Sequence, residues 1–269
     1  MIEFDAVRKE FPGGTLAVES FSLRVPTGSI TVLVGSSGCG KTTLLRMVNR
    51  MVDPSSGEIR IDGTSIAFRD PVELRRSIGY VMQSGGLLPH KTVSENVQTV
   101  AKLRGVGRTE RETTVTELME TVGLDSSLRD RYPAQLSGGQ QQRVGVARAL
   151  AINPNILLMD EPFGAVDPLV RRDLQQELLE LQKKLAKTVM FVTHDIDEAF
   201  LLGDQVAILE EGGRIVQHGT PAEILAAPAN DFVSAFVGAD RGKRALRVTE
   251  VNGQRIAVDG DGRPVGRLD

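Results

Sequence analysis

The chain has 269 residues, 41% hydrophobic and 25% charged, with 32 Lys and Arg against 35 Asp and Glu. This composition fits one or two globular domains with a sizeable core and excludes a disordered chain, a collagen-like chain and, with Cys39 the one cysteine, a disulfide framework. A net charge of −3, no Trp and two Tyr argue against a dedicated nucleic-acid binder with a basic face and stacking aromatics.

The start, MIEFDAVRKEF, lacks the apolar run of a signal peptide, so none is expected. Phe21-Ser-Leu-Arg-Val25 and Gly57-Glu-Ile-Arg-Ile-Asp-Gly63 alternate apolar and polar residues, which predicts half-exposed antiparallel strands. Ile30–Val34 is nearly all apolar, the pattern of a strand covered on both faces. Ser94–Gly123 turns polar and helical and reads as an insertion. Ile156–Met159 and Val189–Val192 repeat the buried-strand pattern. Between them, Val170–Lys187 places Leu174, Leu178, Leu181 and Leu185 on one helical face, a helix packed on a sheet. Alternating strands and helices predict an α/β fold with a mainly parallel core sheet, an N-terminal antiparallel β part and a helical insertion. At the far end, Arg255–Asp269 reads as a strand, an Asp-Gly turn and a second strand. No apolar run approaches the roughly 18–20 residues that span a bilayer, so work at a membrane would go through a partner.

Gly35-Ser36-Ser37-Gly38-Cys39-Gly40-Lys41-Thr42-Thr43 fits the phosphate-loop pattern, and it sits where that pattern must, after a strand and before a helix. Glycines let the backbone curl until successive N–H groups face phosphate oxygens, and the helix N-terminus adds partial positive charge. Lys41 is expected on the β- and γ-phosphates and Thr42 on Mg²⁺. Cys39 lies in the loop beside the helix start, a position that predicts inactivation by thiol reagents and protection by ATP. Ile156-Leu-Leu-Met159 ends on Asp160 and Glu161; carboxylates there need a metal or a donor. Asp160 suits Mg²⁺, and Glu161 suits a general base for water.

Leu136-Ser137-Gly138-Gly139-Gln140, followed by Gln141-Gln-Arg-Val-Gly-Val-Ala-Arg-Ala-Leu150, closely resembles the signature motif of ABC transporter ATPases. Gln83 resembles that family's Q-loop glutamine, Asp167 its D-loop aspartate and His194 its switch histidine, all in family order over residues 1–240. The resemblance implies a head-to-tail dimer with each ATP between one copy's phosphate loop and the other's Ser137–Gln140 and Asp167. It implies that Gln83 touches Mg²⁺ or water and that His194 bonds the γ-phosphate. An upstream aromatic usually stacks on adenine in this family; Phe11 is the best match and Phe4 its competitor.

The wording of Gly86–Asn96, His194–Ala199 and Gly219–Leu225 resembles the ATPases of quaternary-amine osmoprotectant importers, for glycine betaine, carnitine or choline. That implies separate transmembrane permease subunits, an extracytoplasmic solute-binding protein and a place on the cytoplasmic face of the plasma membrane. An amino-acid importer, for methionine as an example, and a soluble non-transport ABC ATPase are the alternatives. By this reading residues 1–240 form the ATPase domain, with a helical subdomain at about 86–150. Residues 241–269 are a short tail, too few for the pair of CBS modules such ATPases often carry and similar to the closing hairpin of one.

Overall fold

The computed structural model describes residues 1–83, 86–164, 166–238, 246–251, 254–258 and 264–268. Strands β1 (Ile2–Glu10) and β2 (Leu16–Val25) lead into β3 (Ile30–Gly35) and helix α1 (Lys41–Val48). Next come β4 (Ser56–Ile61), β5 (Thr64–Ser65), α2 (Pro71–Ser77) and β6 (Ile78–Val81). Three helices follow, α3 (Val93–Leu103), α4 (Arg108–Thr121) and α5 (Gly138–Leu150). Then strands and helices alternate: β7 (Ile156–Asp160), α6 (Pro168–Leu185), β8 (Thr188–Thr193), α7 (Ile196–Leu202) and β9 (Gln205–Glu210). After β10 (Arg214–Gly219), α8 (Pro221–Ala226) and α9 (Asp231–Val237), strands β11 (Arg247–Val251), β12 (Gln254–Val258) and β13 (Pro264–Leu268) make a separate antiparallel sheet.

Side chains set the helix starts. Thr92 and Glu95 form a capping box at α3, as Thr220 and Glu223 do at α8. Asp70 caps α2 and Asp167 caps α6, each with proline at the first helical turn. The helical stretch expected at Ser94–Gly123 breaks into α3 and α4 at a turn where Gly105 takes φ 77.

The six-stranded sheet has the order β10-β9-β3-β8-β7-β6, parallel from β9 through β6. The chain between β6 and β7 carries α3, α4 and α5, yet the two strands pair directly. Alternation sorts their apolar side chains. Ile30, Val32 and Val34 enter one core with Val189, Phe191, Leu157 and Met159, under α3 to α7. Leu33, Met190, Val192, Ile156 and Leu158 enter the other, which also takes Leu44, Leu45, Met47 and Val48 of α1. The antiparallel sheet β2-β1-β4-β5 closes this second core with Phe4 and Phe21, whose rings meet edge to face at 5.1 Å.

The parallel core, the antiparallel part and the helical insertion agree with the pattern read from sequence. The hairpin expected at the far end is β12–β13, with its Asp-Gly turn outside the described residues. Strand β11 and helices α8 and α9 were not anticipated. Among the described residues, no helix is long and apolar enough to cross a membrane.

Leu158 is fully buried in β7. Leu158→Ala should lower unfolding free energy by about 2–5 kcal/mol, read by urea denaturation; a change under about 0.5 kcal/mol would place Leu158 outside a packed core.

Candidate functional site

Because β3, β8, β7 and β6 are parallel neighbours, their C-terminal ends share one edge of the sheet. Ligands of open α/β sheets bind at such an edge. The 35–43 loop follows β3, Gln83 follows β6, Asp160 and Glu161 end β7, and His194 follows β8.

The loop's glycines are needed for space. A Cβ on Gly35 would stand 2.2 Å from the Leu209 carbonyl oxygen, and one on Gly40, at φ 102, would stand 2.5 Å from that of Ala17. Ser36, Ser37 and Gly38 are exposed, and Thr42 and Thr43 half-buried. Lys41 is 4% exposed; its ammonium donates to the carbonyls of Gly35 at 2.8 Å and Ser36 at 2.7 Å. Buried cationic charge at a helix start, among backbone N–H groups, makes a receptor for a polyanion. Cys39 is 1% exposed, its Sγ 3.6 Å from the Lys41 Nζ. The loop's own packing shields the thiol, so the inactivation expected of thiol reagents needs the loop to open.

Thr42 Oγ1 donates to Asp160 Oδ1 at 2.8 Å, while Tyr80 donates its hydroxyl to Oδ2 at 3.1 Å. Arg46, one turn beyond Thr42, comes within 3.9 Å of Oδ2. Burial, then the charge of Asp160, pushes the Tyr80 hydroxyl up to about 12. A hydroxyl and a carboxylate oxygen side by side are hard donors of the kind Mg²⁺ takes, usually with few protein ligands and substrate phosphates completing the shell. Tyr80 and Arg46 escaped the reading from sequence. The signals were there: Tyr80 is the polar-tipped residue of an apolar strand, and Arg46 lies at i+4 from Thr42.

Glu161 joins three elements. Gln83 Nε2 donates to its Oε2 at 3.2 Å, and His194 Nδ1 lies 3.0 Å from the same oxygen. Glu161 takes a left-handed φ of 44°, and its N–H donates to the Val192 carbonyl at 2.9 Å. A half-buried carboxylate with Oε2 held by two neighbours can accept a proton or orient water through Oε1.

Ser137 and Gln140 cap α5 reciprocally, Ser137 N to Gln140 Oε1 at 2.9 Å and Gln140 N to Ser137 Oγ at 3.3 Å. That leaves the N–H groups of the exposed Gly138 and of Gly139 at an open helix start. Gly139 is also a packing glycine: a Cβ there would meet Val170 Cγ1 at 2.6 Å. Asp167 accepts from Leu169 N and Val170 N. Among the described residues, no hydrogen bond or ion pair joins Ser137–Gln140 or Asp167 to the 35–43 loop. Phe11 is half-buried under the Lys9 ammonium, 5.1 Å from its ring centre, whereas Phe4 is 3% exposed within the core. Of the two, Phe11 alone has a ring face within reach of a ligand.

Cys39 should react with a disulfide reagent only as fast as the loop opens, and quickly in urea. Immediate stoichiometric labelling of the native chain, followed by absorbance, would contradict this burial.

The sequence profile of the ABC transporter family matches residues 18–164. The glycine betaine/carnitine/choline transport ATP-binding protein OpuCA of Bacillus subtilis is 51% identical over 241 residues, 90% of this chain and 63% of that protein. The glycine betaine uptake system ATP-binding protein YehX of Escherichia coli is 50% identical over 252 residues, 93% of this chain and 81% of that one. The chain thus spans less than two thirds of OpuCA and most of YehX. MJ0796, a bacterial ABC transporter cassette solved as a dimer, superposes with a TM-score of 0.74 at 34% identity over 82% of this chain and 99% of its own. The phosphate loop, the carboxylates that end β7 and the Ser137–Gln140 turn are laid on the fold of that cassette, and by sequence and structure together this chain belongs to the ABC transporter family.

Proposed function

We propose that the chain is the ATP-hydrolysing subunit of an importer for quaternary-amine osmoprotectants such as glycine betaine, carnitine or choline. The observation that carries the hydrolysis is Glu161, held by Gln83 and His194 on the sheet edge that also bears Lys41 and Thr42. The solute class is supported by relatives about half identical, whose names specify glycine betaine, carnitine or choline transport.

Backbone N–H groups of residues 35–43, with Ser36, Ser37 and Thr43 side chains beside them, take the phosphates of ATP. Lys41 supplies the charge for the β- and γ-phosphates, and Phe11 stacks on adenine. Thr42 and Asp160, with Gln83, would hold Mg²⁺, which when bound offsets phosphate charge. Glu161 orients water and accepts its proton. His194 and Lys41 stabilise the charge that develops on the transferred group.

The open start of α5 is a second anion site that the same chain does not bring to its own loop. Ser137, Gly138, Gly139, Gln140 and Asp167 therefore serve a second copy, head to tail, so that two ATP molecules are enclosed. The dimeric cassette with the same fold supports this, and the same cassette has been solved as a dimer with ADP and Pi. Permease subunits supply the path through the membrane, engaging the groove that begins at Gln83, and a solute-binding protein delivers the cargo outside. The ATPase body then lies against the cytoplasmic face. It comprises residues 1–240, with 86–150 as its helical part and 241–269 as an appended segment related to a CBS module.

Glu161→Gln should keep ATP affinity and lower turnover by about 10²-fold or more, and Lys41→Ala should weaken binding itself. Wild-type turnover in Glu161→Gln removes Glu161 from its role. Cells carrying the chain with its membrane partners should take up labelled glycine betaine, carnitine or choline, and lose uptake with Glu161→Gln. Uptake of methionine alone would discard the solute class and keep the transporter.

A further inference from the structure

Behind His194 and Asp167 lies a polar cluster that the proposed chemistry does not use. Arg171, on the first turn of α6, donates from Nη2 to the Val166 carbonyl at 3.1 Å. Its Nη1 stands 3.9 Å from Asp195 Oδ2, next to His194 in the chain. One turn on, Gln175 Nε2 donates to Glu198 Oε1 at 2.9 Å, and both residues are buried. Asp195 in turn caps α7, accepting from Asp197 N at 2.8 Å and Glu198 N at 3.2 Å. Two residues of α6 at i and i+4 thus face the cap of α7 and a residue of its first turn, at i and i+3.

The two pairs do different work. Gln175 and Glu198 link α6 to α7 by a hydrogen bond between buried groups. Burial pushes the Glu198 carboxyl above the usual carboxylate range, and Asp195 adds to the push; Thr193, Gln175 and Arg171 oppose it. Arg171 fills no core, with 30% of its side chain exposed. Its contacts go instead to two loops, the one that ends on Asp167 and the one that carries His194. Its Nε is buried without an acceptor, so the guanidinium is placed by the Nη2 hydrogen bond to Val166 and by the ion pair of Nη1 with Asp195. A planar fork bonded at one end and paired with a carboxylate at the other passes displacement between them more faithfully than a flexible ammonium.

We propose that Arg171 is a positioning residue that ties the Asp167 loop to the His194 loop, so that engagement of one sets the other for ATP hydrolysis. This rests on the reading of the chain as an ATPase. Nucleotide binding does not need the tie, because the residues of the 35–43 loop are held by β3, β9 and α1. The loss should therefore fall on turnover.

The test is steady-state ATP hydrolysis by the purified full chain. Arg171→Met keeps the aliphatic stem and removes the fork; Asp195→Asn keeps the α7 cap and removes the charge. Each should lower kcat by about tenfold with KM for ATP and the thermal midpoint unchanged, and the double variant should fall no further than either single one. Multiplying losses in the double variant, or an unchanged kcat in Arg171→Met, overturns the tie. Should Arg171→Met fail to fold, Arg171→Lys reads the same quantity, since an ammonium cannot bridge both loops; lowered kcat supports the tie and wild-type kcat overturns it. Absence of turnover in the wild-type chain instead brings down the ATPase reading, and the tie with it.

Discussion

Burial on both faces of the central strands is the constraint from which the rest follows. β3, β7 and β8 have no solvent face along their length. An unpartnered polar group inside such a strand costs several kcal/mol, roughly 2–7 depending on the reference state. Polar chemistry is thereby driven to the strand ends, and parallel pairing brings four of those ends together. The site is a by-product of how the core excludes water. Asp160 shows the limit: it is the last residue of β7, 7% exposed, and it is tolerated because Thr42 and Tyr80 each donate to it.

At the same edge the backbone accepts strain. Glu161 in the left-handed region costs on the order of 1–3 kcal/mol, and the bond from its N–H to Val192 helps to hold it there. The turn points the carboxylate back across the ends of β6 and β8, where Gln83 and His194 can share one of its oxygens. An ordinary extended continuation of β7 would aim the next side chain elsewhere. Strain here is the means by which three separate loops converge on one atom.

The sequence exposed those parts of the molecule in which the chemistry is local. The 35–43 loop, the end of β7 and the start of α5 each need neighbouring residues of fixed type, so their spacing can be read directly. The apolar runs announced the parallel strands for the same reason. What could not be read depends on partners far along the chain. Tyr80 finds Asp160 across a strand pair, Arg171 finds Asp195 across two helices, and neither pair has a periodic signature. Cys39 is a related case: its place beside the helix start could be read, but the packing that covers its sulfur could not. β11 sits among polar residues with weak alternation, and α8 and α9, at six and seven residues, are too short for periodicity to mark.

The sheet order also has a consequence in time. β3, which carries the phosphate loop, is flanked by β8 and β9, with Ile30 opposite Val189 and Gly35 opposite Leu209. As the ribosome emits the chain, both strands that flank β3 arrive more than 150 residues after β3 itself, which ends at Gly35 where the nearer of them begins at Thr188. Until then, β3 is an apolar strand with two bare edges. High contact order of this kind makes folding slow and delays the final setting of the loop until β8 and β9 are made. A nascent chain halted before β8 would carry the whole motif without the strands that flank it.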